Sequence, residues 1–293
     1  MKQLFLHTVL MFILVACENE INFDLSDHQA KLVVNGHLFN DSLVSIDLSI
    51  SGQITQSVAQ PYINGVVELY DKDTNQILTL INNGNGRYYS SLYKTQANTV
   101  YFFKIKTNES DYWIREETPD SVFSEIKDSS RFFFQGNEAY FQLKLHLNDK
   151  SILKNFYEIK VKRFYKEWNG IDTIKKEEWV DLNTQEFVLT ESPISRYSKK
   201  QLLFSDRYFN GQKVNLNVGM FGLFNTPQQR TIHLQVYVSS LSLNAFNYYT
   251  SINEHLFFQN DPFTQPSQIT GNVPNAYGAI TGRYLSVETI VFK

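Results

Sequence analysis

The feature that most constrains the fold is a strict two-residue alternation of apolar and polar side chains that recurs along the chain. Val44, Ile46, Leu48 and Ile50 alternate with Ser45, Asp47 and Ser49. Phe141, Leu143, Leu145 and Leu147 do the same against Gln142, Lys144 and His146. Successive strand side chains point to opposite faces, so each run is a strand with one face buried. Tyr157, Ile159 and Val161, then Val214, Leu216 and Val218, then Ile232, Leu234, Val236 and Val238, extend the pattern. Less regular strands are expected over Lys31–Asn35, Val66–Asp71, Tyr88–Leu92 and Val100–Lys106.

Turn chemistry punctuates these runs. Asn35-Gly36 reads as the turn that ends the first strand, and Asn82-Asn83-Gly84-Asn85-Gly86 as a second turn, because Asn and Gly tolerate positive φ. Asn169-Gly170 joins two candidate strands as a hairpin, with a return strand over Thr173–Leu182. The 23 Phe and 17 Tyr agree with a sheet protein. Only Leu243, Phe246, Tyr249, Ile252 and Leu256 recur at helical spacing; Ser242 stands as N-cap, and Pro262 and Pro266 bar continuation. The fold expected is all-β: an N-terminal Ig-like β-sandwich over residues 31–118, then a second antiparallel β domain over 119–293 carrying one short helix at about 242–256, a lid on the second sheet.

The first residues carry an address. Lys2 precedes a mostly apolar run, Leu4 to Ala16. That run is shorter than the roughly 20 residues a helix needs to span a bilayer, so residues 1–16 read as a signal peptide and not an anchor. It ends in Leu14-Val15-Ala16-Cys17, the order of a bacterial lipobox, and Cys17 is the only cysteine. A diacylglycerol on its sulfur and an acyl chain on its new amino terminus would anchor the chain stably, since two chains suffice. Residues 17–30 then form a lipidated tether. No other cofactor is expected.

Formal net charge is −3, without a long run of one sign, and this sets nucleic-acid binding aside. His28, His37, His146, His233 and His255 lack metal-ligand spacing. Glu116-Glu117 and Glu177-Glu178 are adjacent pairs that point to opposite faces of a strand and read as solvated charge. No nucleophile elbow or phosphate loop is present, so the chain is not read as an enzyme. Recognition falls to aromatics. Trp168 stands at the proposed hairpin tip, where it would stack on a sugar or dock into a partner unless the hairpin folds back and buries it; Trp179 and Tyr165 lie on the same hairpin. Trp113 reads as packing at the domain junction.

Several short segments, in this order, carry a resemblance: the lipobox, Leu32-Val33-Val34-Asn35-Gly36, Leu203-Phe204-Ser205-Asp206-Arg207-Tyr208-Phe209-Asn210-Gly211, Tyr248-Tyr249 leading to Pro262-Phe263 and Pro266, Gly271-Asn272-Val273, and Ala276-Tyr277-Gly278-Ala279. Together they resemble a domain-of-unknown-function family of Bacteroidota outer-membrane lipoproteins, often encoded beside TonB-dependent receptors. The resemblance implies a two-part β architecture, an outer-membrane location and no established activity. The functional expectation is a non-catalytic accessory of a TonB-dependent barrel in uptake or surface assembly. The alternative is a free-standing module that binds a glycan or a peptide.

Overall fold

The structure is a computed structural model that describes residues 29–52, 59–127, 131–135, 138–149, 154–184, 189, 200–221, 229–259 and 267–292. The signal peptide, Cys17, His28, Pro262, Phe263 and Pro266 lie outside the described residues. The strands of the first part are β1 (Leu32–Phe39), β2 (Leu43–Ile50), β3 (Gln60–Pro61), β4 (Val66–Tyr70), β5 (Gln76–Thr79), β6 (Ile81–Asn82), β7 (Arg87–Lys94), β8 (Thr99–Lys106) and β9 (Asp111–Thr118). Next come β10 (Phe123–Ile126), β11 (Arg131–Gln135), β12 (Glu138–Asn148), β13 (Phe156–Trp168), β14 (Thr173–Trp179) and β15 (Leu182–Asn183). Then follow β16 (Leu202–Ser205), β17 (Lys213–Phe221), β18 (Gln229–Leu241), the helix α1 (Leu243–Phe258) and β19 (Tyr277–Val291).

These strands build three sheets. A ten-stranded sheet runs β14-β13-β18-β19-β1-β2-β7-β6, with β16 on β13 and β3 on β2. A five-stranded sheet is centred on β12 and β17, and a four-stranded sheet runs β5-β4-β8-β9. The alternating runs explain the layers. Leu143, Leu145 and Leu147 meet Ile159, Val161, Leu234, Val236 and Val238 in one buried core. Val34, Val44, Ile46 and Leu48 meet Val67, Leu69, Phe103 and Ile105 in the other. One face of the long sheet therefore packs against both smaller sheets, and two sandwiches share it. The fold is all-β with one helix among the described residues.

Pairing adds what local pattern does not contain. The last strand, β19, lies between β18 and β1, antiparallel to the former and parallel to the latter. The ten-stranded sheet thus joins the two ends of the chain. The Asn35-Gly36 turn expected from the sequence is absent, and β1 runs straight through it. Gly36 serves packing instead: a Cβ there would sit 3.2 Å from Ile46 Cγ1 and 3.3 Å from Ile280 Cγ1.

The helix begins as its sequence predicts. Ser242 is extended, and its Oγ accepts a hydrogen bond from Ala245 N at 3.1 Å. α1 lies on the outer face of the long sheet, where Phe246 stacks on Phe156 at 4.6 Å and Tyr249 packs beside Leu203 and Leu241. Leu243 and Leu256, at the two ends of its apolar stripe, stay exposed. The helix covers only one end of that face.

Candidate functional site

The end of the long sheet's outer face beyond α1 belongs to β14, β13 and β18. At 13 residues, β13 pairs with β18 from Phe156 to Glu167 and with β14 from Lys162 to Trp168. The turn of this hairpin closes on itself. Asn169 N donates to Asp172 O at 3.1 Å, and Asn169 Oδ1 accepts from Ile171 N at 2.9 Å and Asp172 N at 2.7 Å. Gly170 has φ +94, a conformation that favours glycine.

On the inner face of the hairpin, Arg163 is buried. Its Nη1 lies 3.0 Å from Glu178 Oε1, its Nε donates to Thr231 Oγ1 at 2.9 Å, and its guanidinium rests 4.3 Å from the Tyr165 ring centroid. A buried charge held by an ion pair and hydrogen bonds ties the base of the hairpin to β18.

The outer face is aromatic and cationic. Lys160 Nζ lies 4.2 Å from the Trp179 ring centroid and Lys162 Nζ 5.4 Å from it. Tyr237 meets the same indole edge-on at 5.3 Å. Phe164 stacks on His233 at 4.4 Å. Burial lowers the Lys160 pKa, opposed by the Glu158 carboxylate. Lys162 is ion-paired to Glu177.

The three residues singled out in the sequence do not converge. Trp168 is 49% exposed at the hairpin tip, so the hairpin does not fold back over it. Trp179 pairs across from Lys162, about 20 Å along the strand from the tip at roughly 3.3 Å per residue. Tyr165 is buried on the opposite face beneath Arg163. Trp113 is 46% exposed beside Tyr70 at 5.2 Å, contrary to the packing expected at a junction.

Glu116 is the main correction. Read as solvated, it is fully buried. Its Oε1 accepts from Gly282 N at 2.9 Å, and its Oε2 from Asn244 Nδ2 and Asn272 Nδ2, both at 2.8 Å. Burial pushes its pKa up to about 7 against these hydrogen bonds. Gly282 permits the approach, since a Cβ there would stand 1.6 Å from the Glu117 carbonyl oxygen. The signal was present in the sequence: Glu116 falls in phase with Ile114 and Thr118, which are also buried.

The Leu203–Gly211 segment is likewise structural. Asp206 is buried and accepts from Asn155 N at 2.7 Å, Gly211 N donates to Asp149 Oδ2 at 2.6 Å, and Phe209 stacks on Tyr157 at 6.0 Å. Beside it, a cleft of about 680 Å³ opens between the two sandwiches, lined in part by Val100, Pro119, Asp120, Lys154, Phe156 and Leu243.

The described histidines are dispersed. His37 bonds Thr281, His146 bonds Asn215, and His255 bonds the Ser267 carbonyl. Among the described residues, no group of three or more His, Cys, Asp or Glu is placed to hold a metal ion. No described helix is long and apolar enough to cross a membrane.

Fold and face together define an all-β protein of sandwiched sheets with a half-buried aromatic surface that α1 does not reach. The chain belongs to the family described as a domain of unknown function, DUF4249, whose model matches residues 18–283. No curated protein matches it. Among solved structures, a Salmonella alpha-2-macroglobulin mutant is similar at 8% identity and TM-score 0.23, over 92% of this chain and 15% of that one. E. coli alpha-2-macroglobulin in its native conformation is similar at 8% identity and TM-score 0.24, over 76% and 14%. Bovine butyrophilin is similar at 5% identity and TM-score 0.20, over 72% and 92%. The chain thus spans about a seventh of the two macroglobulins, and likenesses this weak carry no argument about what it does.

Proposed function

We propose that this chain is a lipid-anchored outer-membrane protein that acts as a non-catalytic partner of a TonB-dependent receptor in uptake or surface assembly. The observation that carries this reading is the outer face of β14, β13 and β18, where Trp179, Tyr237 and Phe164 stand half-buried among lysines beyond the end of the sheet that α1 covers. Aromatic anchors on a preformed surface suit recognition of a protein. The buried carboxylates have other duties: Glu116 ties β9 to α1 and β19, Glu158 is ion-paired to Arg283 at 2.7 Å, and Asp149 holds the Gly211 turn. The membrane placement rests on Cys17 and the lipobox before it.

The test is co-purification of the tagged, natively expressed lipoprotein from detergent-solubilised membranes. A stoichiometric β-barrel is expected with wild type, with loss of that barrel in Trp179→Ala and in Cys17→Ala. A Cys17→Ala protein that works as well as wild type overturns the anchored reading.

The cleft of about 680 Å³ favours a second reading, a free-standing module for a peptide or glycan, because its size is that of a small-ligand site. Recovery of the lipoprotein without a barrel, together with binding in a glycan and peptide panel that Leu243→Asp abolishes, would select it.

A further inference from the structure

The hairpin tip presents a second surface. Trp168 is 49% exposed, Ile171 80% and Ile174 37%. Trp168 pairs with Thr173, and Ile174 with Glu167, so Trp168 and Ile174 lie on opposite faces of the ribbon while Ile171 caps its end. Apolar side chains therefore surround the tip. A flat protein surface would cover only one side of such a projection.

The cations behind the tip are in register. Lys166 pairs with Lys175 on one side and with Arg230 on the other, making one row of three positive charges across the sheet. All three are exposed, and none has an ion-pair partner among the described residues. Like charges directly opposite one another on a sheet are destabilising. With Lys160 and Lys162 the outer face of β14, β13 and β18 holds five cations against two carboxylates, Glu177 and the buried Glu158, and Glu158 is ion-paired to Arg283 of β19. Glu167 is on the other face, bound to Lys176. The whole chain carries a net charge of −3, so this face is locally of opposite sign.

We propose that the Trp168–Ile174 tip inserts into the interface of an anionic lipid bilayer, with Lys166, Lys175 and Arg230 on the headgroup phosphates. The occupant follows from the order of chemistry along the hairpin: an apolar side chain on each face and one at the end, then a row of cations, which matches hydrocarbon followed by phosphate. The turn is also suited to a medium poor in hydrogen-bond partners, because Asn169 takes up the N–H groups of Ile171 and Asp172. The single acid of the tip, Asp172, stands in that turn. The inference rests on the anchored reading only for the nearness of a bilayer. A tip held in lipid would fix the tilt of the molecule and present the Trp179 face sideways, toward a neighbour in the same membrane.

The experiment uses the unacylated chain Glu18–Lys293, which keeps every described residue, so membrane binding cannot come from the Cys17 lipid. It is mixed with vesicles of phosphatidylcholine, or of phosphatidylcholine with phosphatidylglycerol, and sedimented. Binding to the anionic vesicles is expected, weakening as salt rises. Lys166→Glu should weaken it about fivefold or more, from roughly 1 kcal/mol per interfacial cation. A Trp113→Phe/Trp179→Phe variant leaves Trp168 as the only indole, and its emission should shift to the blue on vesicles. Absence of binding by a protein with an unchanged thermal melt overturns the inference, as does binding that Trp168→Ala and Lys166→Glu both leave intact. Binding to polygalacturonate in place of vesicles overturns it in favour of an acidic glycan. Failure here leaves barrel co-purification untouched, and failure of co-purification leaves vesicle binding untouched.

Discussion

At the scale of single residues, Glu116 has the most measurable consequence. It is an acid in the buried phase of β9, fastened to the first turn of α1 through Asn244, to Asn272, and to the backbone of β19 at Gly282. Burial is the dominant influence, opposed by hydrogen bonds from Ser242, Asn244 and the Gly282 backbone, and raises its pKa from 4.5 to about 7. The folded state therefore holds a proton that the unfolded chain has lost between those values. Its contribution to stability is fully present below about pH 4.5 and declines as pH rises to about 7, by on the order of 3 kcal/mol in total. Urea melts across this range should show that decline in wild type, and Glu116→Gln should flatten it. Glu116→Ala strands three N–H donors and should cost about 3 kcal/mol or more below pH 4.5, a deficit that shrinks as pH rises toward 7 and wild type loses its own advantage. Adjacency to Glu117 hid this residue from a sequence reading that weighed the pair by charge and not by strand phase.

At the scale of elements, most strands were legible because alternation is a local property. Val44, Ile46 and Leu48 are buried as their spacing demands, as are Leu143, Leu145 and Leu147. The α1 N-cap and the Asn169-Gly170 hairpin were legible for the same reason, since cap and turn chemistry act within four residues. Gly36 was misread because a glycine needed for close packing looks in sequence like a glycine needed for a turn. The polar middle of β14, Lys175 to Glu178, is explained by its place at the edge of the long sheet, where charged residues discourage further pairing. The site was less legible. Trp179 could be named, but Tyr237 and Lys160 beside it come from other strands. The hairpin also makes a prediction. Asn169→Ala removes two hydrogen bonds from the turn and should cost about 1 kcal/mol. Hydrogen exchange should then quicken at the β14 amides about fivefold while those of β12 and β17 stay unchanged; equal acceleration throughout would mean that the hairpin and the cores open together.

At the scale of the whole molecule, β19 decides cohesion. It forms one continuous ladder with β18 and another with β1, and its Ile280 belongs to the core beneath β1 and β2 while Tyr284 and Ile290 pack on the other core. A chain ending before Tyr277 should lose its cooperative unfolding transition altogether, as judged by thermal melting; a surviving melt of the first sandwich would show that β1 tolerates an open edge. Local pattern did not contain this, because a pairing between the two ends of a chain leaves no periodic trace. The position of β1 also has a mechanical meaning. If the chain is anchored at Cys17 as proposed, a pull along the axis of β1 acts on a strand flanked by β19 on one side and β2 on the other. Force in that direction loads both ladders in shear, all their bonds at once, whereas a strand at the edge could be peeled away one bond at a time. The proposed tether would thus pull on a strand paired on both sides and not on an edge.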